Sequence, residues 1–176
     1  TKRIKMSKDW IEVELGSICD FVGGGTPSKN NPSFWNGEIP WASIKDIKGS
    51  FLNKTEDFIS EEGLKNSASN LAFEGDIILA TRINPGRSIV SKIKVAINQD
   101  LKIAKPLKKF SNRFLLYLFK EIEPKVLKLS SGTTVLGINL ANLKSLIVKL
   151  PPPPRTARHC RPERGAVFRV GPFHLQ

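Results

Sequence analysis

Residues 23–47 read GGGTPSKNNPSFWNGEIPWASIKDI and are the most informative stretch of the chain. They join a run of three glycines to a proline, two tryptophans at short spacing, and a polar segment from Ser43 to Asp46. A hydrophobic core rarely needs so much Gly, Pro and Trp close together, whereas surface loops that present a fixed shape to a partner do. The stretch therefore predicts a rigid surface loop in which Trp35 and Trp41 are packing anchors.

Outside this loop, the composition is that of one globular domain. The chain has 176 residues, and 40% of them are hydrophobic, which is enough for a core. No apolar run reaches the length of a membrane helix, and no signal peptide is recognisable, so no membrane partner is expected. The two cysteines, Cys19 and Cys160, are far apart and do not indicate a disulfide framework. A reducing, cytoplasmic setting is therefore expected.

The formal net charge of +12 is unevenly distributed along the chain. Residues 1–81 hold nine Lys and Arg against twelve Asp and Glu, whereas residues 82–128 hold twelve against three. The phosphate backbone of nucleic acid is the commonest partner of such a basic segment. A helix surface that carries lysines for solubility is the alternative, and charge alone leaves both open.

Five segments are predicted strands: Trp10–Leu15, Ile39–Ile44, Ile77–Ala80, Ile89–Ile97 and Ser145–Leu150. The first and the fourth are predicted from alternating apolar and polar residues. The third is apolar throughout, which predicts a buried strand after a turn at Gly75-Asp76. The fourth carries Lys92 and Lys94 on one face, which predicts a half-exposed strand with a basic outer side. A further turn is predicted at Asn84-Pro85-Gly86.

The helices are predicted from caps and from a period of 3.6 residues. Ser60 followed by two glutamates is typical of a capped helix start, and Asn139 is a candidate cap for a short helix through Leu143. The longest predicted helix, Asn112–Leu129, is expected to be kinked or divided by Pro124. Its predicted apolar face comprises Phe114, Leu115, Leu118, Phe119, Ile122, Val126 and Leu127. The expected fold class is α+β: a single mixed domain with a twisted, mostly antiparallel sheet, a few flanking helices and an irregular tail.

Catalytic and metal-binding patterns are missing from the body of the chain. Both histidines lie in the tail, and residues 1–154 hold no His and only Cys19, which excludes Ser-His-Asp, Cys-His and Cys/His zinc sites there. No dinucleotide or Walker-type phosphate motif occurs. Asp100 and Glu123 with Lys125 make a poor metal-nuclease site, because Pro124 interrupts the group. No catalytic residue, metal or cofactor is therefore predicted.

Several short motifs of the chain resemble, in order, those of one target-recognition domain in the specificity subunit of Type I restriction–modification systems. The most specific are Gly24-Gly25-Thr26-Pro27-Ser28 and Trp35-x-Gly37-x-Ile39-Pro40-Trp41. The others are Trp10 with Leu15-Gly16, Asp46-Ile47, Gly75-Asp76-Ile77-Ile78-Leu79, Asn98-Gln99-Asp100, Gly132-Thr133-Thr134, Gly137-Ile138-Asn139 and Leu150-Pro151-Pro152. Each piece is weak alone, but the ordered set, over roughly residues 10–153, is specific.

The resemblance implies a non-catalytic subunit that reads one half of a bipartite site in double-stranded DNA. It implies two recognition domains separated by long helices that set the spacing of the half-sites. These spacer helices dock the methyltransferase (M) subunits, and restriction (R) subunits then join, so M and R are implied partners if the spacer helix is supplied. A small DNA-processing nuclease and a protein-interaction module, whose tryptophan loop binds a partner, are the alternatives.

Candidate DNA contacts are polar side chains at turns and lysines of the basic segment. Candidates for base or phosphate contacts are Lys29, Asn30, Asn31, Lys45, Arg82, Arg87, Thr133 and Thr134. Candidates for phosphate contacts are Lys102, Lys105, Lys108 and Lys109. Structural alternatives exist: Thr133 and Thr134 as loop caps, Asn30-Asn31 as turn formers, and Arg87 as a solvated charge.

The tail differs from the rest of the chain. The expected organisation is an N-terminal extension over 1–9, a recognition domain over 10–153, and an aberrant Pro/Arg-rich tail over 154–176. The family continues with Glu-Gln and a long helix, whereas residues 155–176 hold five Arg and no Lys, although lysine predominates before them. Codons that encode Arg155–Arg161 also encode Glu-Gln-His-Ala-Ile-Val when read one base later. We therefore hypothesise a frameshift at Pro154 that removes the spacer helix.

Overall fold

A computed structural model of the chain describes residues 10–107, 110–130 and 137–150. The chain divides into two compact units: Glu12–Val148, and the chain ends Thr1–Ile11 with Lys149–Gln176. Almost all described residues belong to the first unit. The predicted extension over 1–9, the tail over 154–176 and residues 131–136 lie outside the described residues.

The described residues form eleven strands and three α-helices. The strands are β1 (Ile11–Glu14), β2 (Cys19–Gly23), β3 (Ile39–Ala42), β4 (Phe51–Leu52), β5 (Asp57–Ile59), β6 (Asn70–Ala72), β7 (Ile77–Ala80), β8 (Ser88–Ser91), β9 (Val95–Ile97), β10 (Leu101–Pro106) and β11 (Ile147–Leu150). The helices are α1 (Glu61–Lys65), α2 (Asn112–Ser130) and α3 (Leu140–Lys144). Short 3-10 helices cover Leu15–Ser17, Pro32–Trp35 and Ile44–Asp46.

The strands are arranged in three sheets, with five strands in the order β2-β10-β7-β8-β4, four in the order β5-β3-β9-β6, and a pair of β1 and β11. In the two larger sheets all neighbours are antiparallel except β4–β8 and β3–β9. This arrangement confirms the predicted α+β class and the mostly antiparallel pairing. The sequence did not indicate that the strands would be divided among several sheets.

The five-stranded and four-stranded sheets contribute to one buried core. Its members are Ala42, Ile47, Leu52, Ala72, Ile78, Ala80, Ile89, Val95, Ile97, Leu101 and Ile103. They include residues of β3, β6 and β9 from one sheet and of β4, β7, β8 and β10 from the other. The loops that carry the polar side chains are therefore fixed to a common packed centre.

Helix α2 packs on the five-stranded sheet and extends the core. It buries Leu115, Leu118, Phe119, Ile122 and Val126. The ring of Phe119 meets that of Phe21 on β2 edge to face, with 6.2 Å between centroids. The helix continues through Pro124 without division. The expectation that Leu127 belongs to the apolar face was wrong, because this residue is 48% exposed.

The predicted strand Ile89–Ile97 was wrong in extent and in exposure. It is two strands in different sheets, β8 and β9, and all four residues of β8 are buried. Between the strands the Ser91 hydroxyl donates to the carbonyl oxygen of Ile93 at 2.7 Å. This local bond turns the chain away from the first sheet, and the alternating pattern of Lys92 and Lys94 reflects the turn rather than a strand face.

The predicted caps and turns are confirmed. The Ser60 hydroxyl accepts from the amide of Gly63 at 3.0 Å, and the Asn139 side chain accepts from the amide of Asn142 at 2.7 Å. The glycine of the turn before β7 has φ +89°, a conformation that L side chains rarely adopt.

Candidate nucleic-acid interface

The two tryptophans of the opening stretch hold its backbone in place, as predicted. The indole nitrogen of Trp41 donates to the carbonyl of Gly25 at 3.1 Å, and the hydroxyl of Ser69 donates to the same carbonyl at 2.7 Å. The indole nitrogen of Trp35 donates to the carbonyl of Ser28 at 3.1 Å. The two rings meet edge to face with 5.1 Å between centroids. The loop is therefore rigid, because two of its carbonyl oxygens accept hydrogen bonds from the two tryptophans and from Ser69, which directly precedes β6.

The glycine turn lies directly against the chain that follows β9. The amide of Gly25 donates to the carbonyl of Ile97 at 3.0 Å, and a Cβ on Gly24 would overlap the carbonyl oxygens of Ile97 and Asn98. This close approach brings the Thr26 hydroxyl to the side-chain oxygen of Gln99, to which it donates. Glycine is thus needed here for backbone proximity, which sets Thr26 and Gln99 side by side at the surface.

Arg82, which follows the end of β7, lies near Thr26 and Gln99 at the surface. The amide and hydroxyl of Thr81 both donate to the carbonyl of Asp100, at 2.8 and 3.0 Å. The Arg82 guanidinium lies 3.7 Å from the Asp100 carboxylate, and the Arg82 backbone forms an isolated antiparallel bridge with Gly137. The arginine side chain is 60% exposed, so it is available to a partner.

Lys102 completes a group that we call the polar cluster: Thr26, Arg82, Gln99, Asp100 and Lys102. Its ammonium donates to the backbone carbonyl of Gln99 at 3.1 Å. Partial burial lowers the pKa of Lys102, the nearby Arg82 charge lowers it further, and Asp100 opposes both. Two cations against one carboxylate leave the polar cluster with excess positive charge. An anionic partner would relieve the repulsion between the two cations.

Two other predicted contacts already have carboxylate partners. The Lys45 ammonium lies 2.8 Å from Asp57 and 3.3 Å from Glu56, and its hydrogen bond to Asp57 raises the pKa of Lys45. The Lys105 ammonium lies 2.7 Å from Asp76. The positive charges of these two lysines are therefore compensated locally, unlike the excess charge of the polar cluster.

The remaining predicted residues are dispersed. Lys29 and Asn30 are exposed, whereas the Asn31 side chain accepts from the amide of Ser33 at 3.1 Å and so caps the 3-10 helix Pro32–Trp35. The turn-former alternative therefore describes Asn31 well. Four others lie outside the described residues: Lys108, Lys109, Thr133 and Thr134.

Arg87 lines a separate cavity, with a volume of about 490 Å³. Its other lining residues are Gly49, Ser50, Asn84, Ser88, Lys120 and Glu123. Sequence reasoning assigned no role to Ser88 or Lys120. No local signal could have found them, because the lining residues come from segments more than thirty residues apart. Thr26 and Gln99 were also missed, although both belong to motifs that were recognised.

The described residues contain no group of three or more His, Cys, Asp and Glu that could hold a metal ion. None of the helices that the structure describes is long and apolar enough to cross a membrane. Cys19 is fully buried, and burial with the neighbouring Asp20 charge raises the pKa of its thiol to about 12, which makes it a structural residue.

Comparison with known proteins identifies relatives over most of the chain. Residues 7–157 match the family of Type I restriction modification DNA specificity domains. The chain is 32% identical over 152 residues to the specificity subunit of the Type I restriction enzyme EcoR124I/EcoR124II of Escherichia coli, which covers 80% of this chain and 37% of the relative. It is 29% identical over 154 residues to the MjaIX specificity subunit of Methanocaldococcus jannaschii, which covers 85% and 36%.

Solved structures support the fold. The HsdS subunit from Thermoanaerobacter tengcongensis matches with a TM-score of 0.64 and 22% identity, over 88% of this chain and 36% of that one. The S subunit of a Type I restriction–modification system from M. genitalium matches with a TM-score of 0.62 and 16% identity, over 85% and 36%. The chain thus spans little more than a third of the length of these relatives. The comparisons support neither the nuclease nor the protein-interaction alternative.

Proposed function

The chain belongs to the family of Type I restriction modification DNA specificity domains, and from that premise we propose that it reads one half of a bipartite DNA sequence without catalysing a reaction. The observation that carries the proposal is the convergence of Arg82, Gln99 and Lys102 from two separate turns in the polar cluster. These residue types suit base edges in the major groove: Arg and Lys bond to guanine, and Gln bonds to adenine.

The geometry of Gln99 supports a reading role. Its side-chain oxygen accepts from Thr26, and among the described residues no partner occupies its amide nitrogen. The bond to Thr26 orients the amide, so the nitrogen can donate to an acceptor on a base edge without first losing rotamer freedom. Arg82, which is 60% exposed and at 3.7 Å from Asp100, can turn towards a base while retaining its carboxylate neighbour.

The wider set of predicted contacts is part of the proposal: Lys29, Asn30, Asn31, Lys45, Arg87, Lys105, Lys108, Lys109, Thr133 and Thr134. Lys45 and Lys105 must exchange their carboxylate partners for phosphate before they contribute to DNA affinity. We therefore expect their substitution to lower that affinity less than substitution of Lys102. Such lysines position the domain on the duplex, whereas the polar cluster carries the sequence information.

The proposed role includes the organisation and partners of the chain. Residues 10–153 are the recognition domain, preceded by the extension over 1–9 and followed by the tail over 154–176. The partners are double-stranded DNA and, once a spacer helix is supplied, M and R subunits. A cytoplasmic location is part of the proposal, because DNA to be read and modified is found there.

Selection from a randomised duplex library tests the reading role. The chain should enrich one short sequence at low salt, and Arg82→Ala and Lys102→Ala should relax the preference at individual positions by a factor of about ten. Lys125→Ala, which removes an exposed charge of α2, should leave the preference unchanged. Binding without enrichment of any sequence would contradict the proposal.

The tail is proposed to result from a frameshift at Pro154. The family match ends at residue 157, close to the point where arginine replaces lysine as the predominant basic residue. The nucleotide sequence of the gene tests this directly. If the frame one base later does not encode Glu-Gln followed by an amphipathic helix, the proposal fails.

The proposed frameshift also predicts whether the chain binds the M subunit. The chain as it stands should not co-purify with the M subunit of its system, whereas a version with the frame restored at Pro154 should. Stoichiometric recovery of M with the unaltered chain would show that the tail does not prevent docking and would sink the proposal.

A further inference from the structure

The cavity beside Arg87 is walled by three separate segments. These are the segment before β4 with Gly49 and Ser50, the turn between β7 and β8 together with the start of β8, and α2. The Lys120 ammonium donates to the Ser50 hydroxyl at 2.9 Å, and the amide of Val90 donates to the Ser50 carbonyl at 3.0 Å. These bonds tie the first wall to both the helix and the sheet.

The turn wall is fixed against the helix by Gly86. Its φ of +94° is one that L side chains rarely adopt, and a Cβ there would lie 2.9 Å from the Cβ of Val126 and 3.0 Å from the carbonyl oxygen of Glu123. The amide of Arg87 donates to the Asn84 carbonyl at 3.2 Å, which closes the turn. The cavity is thus preformed, with Arg87 and Glu123 held on adjoining walls.

One buried hydroxyl of the cavity has no partner in the structure. Ser88 is 3% exposed, and its Oγ forms no hydrogen bond with any described residue. Buried polar groups are otherwise nearly always bonded, because leaving one unpaired costs free energy. Because Ser88 lines the cavity, a polar atom bound there is the candidate partner for this hydroxyl.

The side chains that line the cavity are suited to bind an oxyanion. Arg87 and Lys120 outnumber the single carboxylate of Glu123, and the hydroxyls of Ser50 and Ser88 add further donors. Arginine, lysine and hydroxyl groups are common ligands of phosphate oxygens. A volume of about 490 Å³ exceeds a lone phosphate and leaves room for an attached sugar.

We propose that this cavity binds the phosphate group of a nucleotide. The phosphate is supplied either by a DNA strand or by a free nucleotide, and the first source rests on the proposed function. A strand is geometrically suited, because the turn that bears Asn84 also bears Arg82, whose carbonyl accepts from the Asn84 amide at 2.8 Å. A phosphate held here would lie one turn away from a base-reading side chain and would fix the register of the duplex.

Charge variants test the cavity in duplex-binding titrations at several salt concentrations. Arg87→Met and Lys120→Met should each weaken binding about tenfold and lower the salt slope by about one, beyond the effect of the matched helix control Lys125→Met. Glu123→Gln should strengthen binding about threefold, because it removes a repulsive charge. If all three variants behave like the control, the proposal is wrong.

Ser88→Ala separates a ligand role from a structural one. Because the hydroxyl has no partner, the change should leave the melting temperature unchanged or raised while phosphate or DNA binding weakens severalfold. The matched control is Ser91→Ala in the same strand, whose hydroxyl donates to Ile93 and whose loss should lower the melting temperature. A lower melting temperature with unaltered binding in Ser88→Ala would overturn the proposal.

Inorganic phosphate and deoxyadenosine monophosphate distinguish the two sources. Each ligand is titrated into the chain while the amide resonances of Arg87 and Ser88 are followed. Ligand-induced shifts that Arg87→Met abolishes establish the site. If duplex DNA competes with the ligand for these shifts, the site is assigned to a DNA strand. The same shifts without competition assign it to a free nucleotide. If the chain binds no duplex at all but retains these shifts, the proposed function fails while the cavity stands. If neither ligand shifts these resonances and cavity variants bind duplex like the control, the cavity proposal fails alone.

Discussion

The smallest feature with a large consequence is the missing side chain of Gly24. Its Cβ position is occupied by the carbonyl oxygens of Ile97 and Asn98, which belong to backbone and cannot move away. Gly24→Ala should therefore lower the free energy of unfolding by about 3 kcal/mol in urea denaturation. Gly23→Ala is the control, since its Cβ would lie 3.4 Å from the flexible ammonium of Lys102. Equal losses at the two positions would contradict this reasoning.

The thiol of Cys19 makes stability depend on pH in the alkaline range. Its pKa is raised from 9.0 to about 12, because the fully buried site disfavours the thiolate. The unfolded thiol ionises first, so the stabilising effect is complete below pH 9 and declines as the pH rises from 9 towards 12. Relative to Cys19→Ala, the unfolding free energy should fall by about 1 kcal/mol per pH unit in that window. Parallel pH profiles of the two proteins would refute the assignment.

Single residues differ in how far their roles could be predicted from the sequence. The cap of Ser60 and the anchoring of Trp35 and Trp41 depend on neighbours in the sequence or on residue type, and these predictions were confirmed. The ion pair between Lys105 and Asp76 joins residues 29 positions apart, and no local pattern encodes that distance.

At the scale of elements, polarity patterns located the strands better than they assigned their faces. β7 follows its predicted turn and is buried, as its apolar run indicated. The segment from Ile89 to Ile97 has the alternation of one strand, yet it divides because Ser91 bonds to Ile93 and the chain crosses to the other sheet. Alternation cannot distinguish a strand from a polar turn between two short strands, since both place apolar residues at intervals of two.

In helix α2, tertiary packing outweighs the low helix propensity of Pro124. Pro124 lies inside the helix, where it cannot donate to the carbonyl of Lys120 and its ring crowds that carbonyl. The buried face on either side, with Ile122 and Val126, holds the helix continuous despite this cost. Pro124→Ala should therefore raise the free energy of unfolding by about 1–3 kcal/mol in urea denaturation. Lys125→Ala, an exposed neighbour, should change it by less than about 0.5 kcal/mol, and a loss of stability in Pro124→Ala would show that the proline is needed.

For the whole molecule, net charge is a poor guide to where an anion binds. The sequence located a basic segment over 82–128, and the polar cluster and the cavity both draw their cations from it. Within that segment, however, Lys105 is paired with Asp76, and Lys45 outside it is paired with Glu56 and Asp57. Only long-range folding determines which charges are compensated, so the composition locates a basic segment but not the residues that would meet an anion.

The difference between compensated and uncompensated charge predicts unequal salt dependence. Lys102→Gln should lower the slope of log affinity for duplex DNA against log salt by about one, because in the proposed function its ammonium meets a phosphate or a base. Lys105→Gln should lower it by clearly less, since in the free chain the charge already meets Asp76 at 2.7 Å and a phosphate must displace that carboxylate. Lys105→Gln should instead reduce thermal stability slightly, as the Asp76 carboxylate loses its ion-pair partner and keeps, among the described residues, only the hydrogen bond from the amide of Phe73. Equal slope changes in the two variants would mean that the ion pair opens freely on binding and that local pairing does not select the contacts.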